Sequence, residues 1–187
     1  DARFYPSIQV PYGHTIPAIY ASAGVRRILG LAYMLVWSWN EHLVASKLLG
    51  QGPTRSIVLL FDELESHLHP KWQRTILTSL LEVVKELNSQ AKIQLIAATH
   101  SPLILASAEP FFNKDKDAWF DIDLEHGKVV LRQRDFVAHG DVSNWLTSQA
   151  FDLKAPLSLA AEQAKLKALD VLKQRNPSVL AVMEADK

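Results

Sequence analysis

Two short apolar runs, each followed by polar residues, are the clearest hydrophobic pattern in this chain. The first run, Ser56 to Phe61, ends in the acidic pair Asp62-Glu63, and the second, Lys92 to Ala98, ends in Thr99-His100-Ser101-Pro102. The first run is uncharged and rich in Ile, Val and Leu, which predicts a strand buried on both faces of a parallel sheet. We therefore expect the acidic pair and His100 at the carboxyl edge of one sheet, where open α/β sheets bind ligands.

A helix is predicted between the two strands. It opens at Pro70, and its apolar residues fall at helical spacing: Trp72, Ile76, Leu80, Val83 and Leu87. A strand-helix-strand unit of this kind has a right-handed crossover and brings both polar strand ends to one edge. Ser101 is a suitable N-cap and Pro102 suits the first helical position, so a further helix begins directly after His100.

The remaining pattern predicts flanking helices and one hairpin. Residues 1–20 are extended and Pro-rich, a long helix runs from Ser22 to Leu49, and a hairpin covers residues 118–133 with its turn at Gly127. We expect Asp121 and Asp123 of that hairpin to face solvent. Two more helices are predicted to begin at Asp141 and at Pro156 and to extend to about residue 175.

The acidic pair at the end of the first strand has the layout of a Walker B motif. In that layout the first acid, Asp62, holds a nucleotide-bound Mg²⁺, and the second, Glu63, orients the water that attacks the γ-phosphate. His100 stands on the neighbouring strand-to-helix turn, from which it can reach a γ-phosphate. The alternative is that both acids are simply the polar start of a loop, or favourable charges near the next helix.

On these residues the chain resembles the ABC-type ATPases, and within them the RecF-like, SMC-like and overcoming-lysogenization-defect-like branch of DNA repair and bacterial anti-phage defence. The resemblance rests on Ala21 to Val25, Ile57 to Pro70 and Ala97 to Pro102, and it covers most of residues 14–165. It implies an α/β, parallel-sheet P-loop NTPase fold (ABC ATPase-like), with ATP and Mg²⁺ as cofactors. The implied order is signature helix 22–49, Walker B and D-loop 56–70, H-loop 95–102, hairpin 118–133 and C-terminal helices 141–175.

By the same resemblance, Ser22 and Gly24 contact ATP held by a second subunit, so the active state is a homodimer or higher homo-oligomer that sandwiches ATP. A capped helix start with a glycine also suits phosphate on physical grounds. This signature departs from the commoner L-S-G-G-Q form, because Ala23 replaces its first Gly and Val25 replaces its polar final residue. In the D-loop, His69 stands where transporter-type relatives carry Asp and is a further candidate for nucleotide contact.

His67 and His69 also raise the question of a metal site. Zinc needs three or four converging ligands, and the chain has no cysteine that could complete a common structural site. We therefore interpret these histidines as capping or interface residues.

No Gly-rich phosphate loop of the form G-x-x-x-x-G-K-[ST] occurs in the chain, and its one Gly-Lys pair, Gly127-Lys128, is interpreted as a hairpin turn. We expect residues 1–187 to form the C-terminal half of one ABC-type ATPase domain, whose N-terminal lobe carries the phosphate loop. Because such loops supply the backbone amides that hold phosphate, we expect residues 1–187 alone to bind nucleotide poorly and to be inactive.

Composition narrows the classes of protein that remain. The 187 residues are 48% hydrophobic, which suits one globular domain. The 20 basic residues balance the 20 acidic residues, so DNA stays an open partner that would need a local basic patch. The absence of cysteine suits a cytoplasmic protein. The longest apolar run, Ile28 to Trp37, is too short to cross a membrane and predicts a helix buried between layers.

Three functions stay open. The first is an ATP-driven switch in anti-phage defence or DNA repair. The second is a non-catalytic scaffold or interaction module, which the altered signature and the missing phosphate loop favour. The third is a regulatory ATPase of an associated nuclease or toxin, as the resemblance suggests, although no nuclease motif lies within the chain.

Overall fold

The computed structural model describes residues 6–10 and 13–175. Its strands are β1 (Ser7–Gln9), β2 (Thr15–Pro17), β3 (Ser56–Phe61), β4 (Lys92–Ala97), β5 (Trp119–Glu125) and β6 (Lys128–Arg134). Its helices are α1 (Ala23–Leu48), α2 (Pro70–Gln73), α3 (Ile76–Leu87), α4 (Pro102–Ala108), α5 (Val142–Leu146) and α6 (Leu159–Arg175). The predicted domain spans residues 1–187, of which 1–5, 11–12 and 176–187 lie outside the described residues.

Contacts divide the chain into two compact units. Among the described residues, the first unit comprises residues 6–10, 13–119 and 135–138, and the second comprises residues 120–134 and 139–175. The assignment of all these residues to one ATPase domain stays a prediction. Among the described residues, no helix is both long enough and apolar enough to cross a membrane.

The first unit contains the strand-helix-strand arrangement that the sequence predicts. Strands β3 and β4 pair in parallel, in register from Ser56 opposite Lys92 to Phe61 opposite Ala97. Helices α2 and α3 connect them, and α4 follows β4 after a short turn. This arrangement confirms the predicted α/β class and the parallel pairing of the two apolar strands.

The prediction that β3 is buried on both faces is wrong for the described part of the chain. Leu59 is 8% exposed, whereas its neighbours Val58 and Leu60 are 59% and 75% exposed. Successive side chains of a strand point to opposite faces, so only one face of this sheet is covered. The uncharged sequence shows that the strand is apolar, but it does not show which parts of the protein cover each face of the strand.

The core of the first unit lies on the covered face of this sheet. Buried side chains from the loop after β3 and from α3 and α4 form it, and they are Leu64, Leu68, Ile76, Leu77, Leu80 and Ile104. Ile28 and Leu35 of α1 pack against this cluster, but Tyr33 and Trp37 of the same helix are 66% and 46% exposed. The expectation that Ile28 to Trp37 is buried between layers is therefore wrong, since one side of α1 is packed and the other is open.

Two predicted helices differ from the observed ones. The helix expected to run from Pro70 to Leu87 is broken into α2 and α3 by Thr75, the N-cap residue of α3, whose ψ of −15° and φ of −121° are not helical. Within α3, Val84 is 1% exposed and is buried in place of the predicted Val83, because it continues the four-residue spacing of the buried Ile76 and Leu80. The helix expected from Pro156 begins three residues later, where the Ser158 hydroxyl accepts the Ala161 N–H at 3.3 Å.

The second unit contains the predicted hairpin. Strands β5 and β6 are joined by His126 and Gly127, whose φ values of +49° and +76° suit a two-residue turn. Asp121 does not face solvent freely as predicted, because its side chain is 18% exposed and lies 3.4 Å from the Arg134 guanidinium. Arg132 pairs with Glu125, and the hydrogen bond that its guanidinium donates to that carboxylate raises the pKa of Arg132.

Candidate functional site

The carboxyl ends of β3 and β4 lie at one edge of the parallel sheet. The Ala98 N–H donates to the Phe61 carbonyl at 2.9 Å, which continues the ladder to the last residue before Asp62. The pair Asp62-Glu63 leaves the sheet here on one strand and His100 leaves it on the next, and all three residues are exposed. The structure therefore brings the two predicted polar segments to a common edge.

The backbone turns sharply at the acidic pair. Glu63 has a φ of +48°, a conformation that residues other than glycine rarely adopt, and its carbonyl accepts the Ser66 N–H at 2.9 Å. Leu64, the next residue, is fully buried in the core and anchors the turn. Unusual backbone conformations cluster at functional sites, and the turn at Glu63 is one such conformation.

The acidic pair has the chemistry of a nucleotide-linked Mg²⁺ site. Neither the Asp62 nor the Glu63 carboxylate accepts a hydrogen bond from any other described residue, so both are available to a cation or to water. Mg²⁺ favours oxygen ligands and is commonly held by one or two carboxylates together with phosphates. The described residues contain no group of three or more His, Cys, Asp or Glu side chains that could hold a metal ion.

The other predicted residues line an open groove between the start of α1 and the loop after β3. The groove has a volume of about 600 Å³ and is lined by Ser22, Ala23, Gly24, His67, Leu68, His69 and Trp72. Three predicted nucleotide contacts, Ser22, Gly24 and His69, therefore lie together. Asp62, Glu63 and His100 are not among the lining residues, so the predicted site residues form two groups.

Ser22 is the N-cap of α1, as the sequence predicts. Its side chain accepts the Val25 N–H at 3.4 Å. His69 caps α2 in the same way, because its Nδ1 accepts the Lys71 N–H at 3.2 Å. This cap is the capping role that the sequence analysis expects for His69.

Gly24 is buried for a reason that the sequence does not reveal. A Cβ atom at this position would lie 2.7 Å from the His67 carbonyl oxygen and 3.1 Å from Cζ3 of Trp72. The loop after β3 thus approaches the helix backbone more closely than any side chain would allow. This contact within one chain accounts for the glycine, and its predicted contact with a partner's phosphate stays a prediction.

Sequence reasoning assigned no role to Glu65 or Gln73, which tie the loop after β3 and helix α2 to the turn at His100. Both residues are polar and only half-buried, as surface residues often are. Glu65 lies in the segment 56–70 that the resemblance assigns to the Walker B motif and D-loop, and this is the only sequence signal that includes it.

Known proteins resemble parts of this chain. A family model described as "AAA domain, putative AbiEii toxin, Type IV TA system" matches residues 8–106, more than half of the chain. The Retron Vc95 probable ATPase of Vibrio cholerae serotype O1 biovar El Tor is 46% identical over 50 residues, and the Retron Ec83 probable ATPase of Escherichia coli is 27% identical over 96 residues. The Septu protein PtuA of Bacillus mycoides (strain KBAB4) is 45% identical over 49 residues.

These similarities are partial on both sides. The aligned segments cover 27%, 51% and 26% of this chain, and 9%, 15% and 6% of the respective relatives. A solved structure described as "Structural biochemistry of ATP-driven dimerization and DNA stimulated activation of SMC ATPases" has a TM-score of 0.40 and 16% identity. That likeness covers 66% of this chain and 60% of the other.

Proposed function

We propose that the protein containing these residues hydrolyses ATP at the edge of the β3–β4 sheet, since this chain belongs to the family described as AAA domain, putative AbiEii toxin, Type IV TA system. The similarity to two probable ATPases supports the same activity. The membership places the chain among the P-loop ATPases. Its assignment to the RecF-like, SMC-like and overcoming-lysogenization-defect-like branch is part of the proposal.

One observation carries the proposal. The parallel register of β3 and β4 continues through the Ala98 to Phe61 hydrogen bond, so the acidic pair and His100 leave the sheet side by side. In open α/β sheets this edge is where ligands bind. Both carboxylates are exposed and have no partner within the described part of the chain, which suits phosphate chemistry, whereas a purely structural loop start would more often cap a helix or pair with a cation.

Each residue at this edge has a distinct role in the proposed reaction. Asp62 holds the Mg²⁺ that accompanies the nucleotide, and that ion supplies neutralising charge at the phosphates. Glu63 orients the attacking water and accepts its proton as the oxygen of that water bonds to the γ-phosphorus, while the bond to the bridging oxygen breaks and ADP leaves. His100 donates a hydrogen bond to the γ-phosphate from the neighbouring strand end.

The groove at the start of α1 serves a second nucleotide in this proposal. Ser22 and Gly24, with His69 beside them, approach the γ-phosphate of ATP held by a second copy, so a homodimer or higher homo-oligomer sandwiches ATP. The separation of these residues from the acidic pair supports two different nucleotides. The two copies would close on ATP and separate after hydrolysis, so the assembly would act as a switch.

The biological setting is proposed from the relatives. Similarity to retron ATPases and to a Septu protein accords with bacterial anti-phage defence, and the resemblance leaves DNA repair as the alternative setting. A nuclease or toxin partner controlled by the switch, and contact with DNA, belong to the same proposal.

The test is ATP turnover by the complete protein with Glu63→Gln. This substitution keeps the shape of the side chain and removes its basicity, so we expect turnover to fall about 100-fold or more. Glu86→Gln is the matched control, because Glu86 is exposed on α3 and far along the chain from the edge. If Glu63→Gln turns over ATP as fast as Glu86→Gln does, the site assignment is wrong and a non-catalytic interaction module becomes the better explanation.

A further inference from the structure

Glu65 joins the loop after β3 to the turn after β4. Its Oε2 accepts the Thr99 hydroxyl and its Oε1 accepts the His100 N–H, both at 2.6 Å. Both carboxylate oxygens are therefore used by residues that are 34 and 35 positions away in the sequence. Hydrogen bonds to a charged acceptor are shorter and about twice as strong as neutral ones, so this is a firm link.

A second link runs beside the first. The Ser101 hydroxyl donates to Oε1 of Gln73 at 2.7 Å, and the Gln73 amide donates to the Leu68 carbonyl at 3.0 Å. The Ser101 N–H also donates to the Thr99 hydroxyl at 3.0 Å. Ser101 is only 6% exposed, so its hydroxyl has lost most contact with water and depends on this partner.

These links hold the backbone of the turn and leave the His100 side chain free. The His100 N–H is bound to Glu65, yet its imidazole is exposed and makes no hydrogen bond with another described residue. Asp62 and Glu63 lie three and two residues before Glu65, on a loop that the buried Leu64 anchors. Glu65 therefore connects, through two short bonds, the segment that carries Glu63 to the segment that carries His100.

We propose that Glu65 is a positioning residue that sets the location of His100 relative to the Asp62-Glu63 pair. The inference rests on the proposed ATPase function, because it assigns a purpose to a link between two parts of that site. Displacement of a reacting group by about 1 Å can cost about 100-fold in rate. Two loops held only by their own turns would allow such displacement, and the carboxylate prevents it.

The experiment measures kcat and KM for ATP in the complete protein. For Glu65→Ala we expect kcat to fall about 10- to 100-fold while KM changes less than about threefold, because positioning acts on the reaction more than on nucleotide binding. Glu86→Ala, an exposed carboxylate on α3, is the matched control and should retain wild-type turnover. A Glu65→Ala variant with wild-type kcat, or with its whole effect in KM, would overturn the inference.

Thr99 supplies a pair of variants that differ in one hydroxyl. Thr99→Val keeps the volume and loses both the hydrogen bond to Glu65 and the one that the Ser101 N–H donates, whereas Thr99→Ser keeps the hydroxyl and both bonds. We expect the serine variant to turn over ATP about tenfold faster than the valine variant, and equal rates would count against the link. This pair decides the matter even if Glu65→Ala does not fold.

A double variant separates positioning from general loosening of the fold. His100→Ala keeps the backbone N–H that Glu65 binds but removes the imidazole. If Glu65 acts through that imidazole, Glu65→Ala combined with His100→Ala should be no slower than His100→Ala alone. If the losses in rate from the two single variants multiply in the double variant, Glu65 only maintains the fold.

Glu63→Gln, measured in parallel, distinguishes failure of the positioning role from failure of the proposed ATPase function. Normal turnover in that variant would refute the proposed function itself.

Discussion

Replacing Gly24 by alanine tests the close contact between α1 and the loop after β3. The new methyl group would lie 2.7 Å from the His67 carbonyl oxygen, which is 0.7 Å short of the 3.4 Å at which ordinary van der Waals contact begins. The oxygen belongs to the backbone, so no side-chain rotation can relieve the overlap. His67 itself has a φ of +62°, and the adjacent Leu68 is buried in the core, which limits how far this carbonyl can move.

Two opposing effects determine the size of the change. Alanine in place of glycine within a helix stabilises by about 0.5–1 kcal/mol, because the unfolded chain has less freedom to lose. Forcing an extra methyl group into a packed site costs about 1–3 kcal/mol. We therefore expect Gly24→Ala to lower the free energy of unfolding, by up to about 2.5 kcal/mol.

Gly30 is the matched control, since it lies in the same helix and a Cβ there would have nothing within 4 Å. Gly30→Ala should raise the free energy of unfolding by about 0.5–1 kcal/mol, which is the effect of replacing glycine by alanine in a helix without any overlap. The difference in unfolding free energy between the two variants then gives the cost of the overlap between the new methyl group and the His67 carbonyl, about 1–3 kcal/mol. Urea unfolding of the complete protein, followed by tryptophan fluorescence, measures both. Equal stabilisation by the two alanines would show that the loop does not pack against Gly24, and the structural reason for this glycine would be lost.

Two further predictions test the packing around β3. Leu59→Ala removes a buried side chain and should lower the free energy of unfolding by about 2–5 kcal/mol, whereas Leu60→Ala, at a 75% exposed position, should change it by less than about 0.5 kcal/mol. Equal losses in urea unfolding would mean that both faces of the strand are covered in the complete protein. His42→Ala removes the Nε2 atom that accepts the Thr54 N–H at 2.8 Å, and hydrogen exchange at Thr54 should accelerate about tenfold, since losing such a partner costs about 1–3 kcal/mol. Exchange at Thr54 as slow as in a Glu41→Ala control would contradict that role.

Local signals in the sequence predicted local structure well. The caps at Ser22 and Ser101, the proline that follows Ser101 and the turn at Gly127 are all present, because each depends on the conformational preferences of a few adjacent residues. The pairing of β3 with β4 was also predicted, since two apolar strands joined by a helix have few alternatives.

Properties that depend on distant contacts were not predictable in the same way. The exposure of Leu60 depends on what covers the second face of the sheet, and no pattern within the strand carries that information. The role of Glu65 depends on hydrogen bonds across 34 and 35 residues, and the reason for Gly24 depends on the path of a loop more than 40 positions away. Carboxylates and glycines occur in many environments. The residue types at positions 65 and 24 therefore could not predict these particular contacts.

The short loop that follows β3 connects the two groups of candidate residues. It begins at the acidic pair on the sheet edge and ends at His69 in the groove beside the start of α1. Leu64 and Leu68 bury two points of this loop in one core, so its ends cannot move independently without disturbing that packing. Under the proposed function, the two ends face different nucleotides in the assembly. Under the same proposal, a change at Glu63 during hydrolysis would disturb the packing of Leu64 and Leu68 and, through it, the end of the loop in the groove.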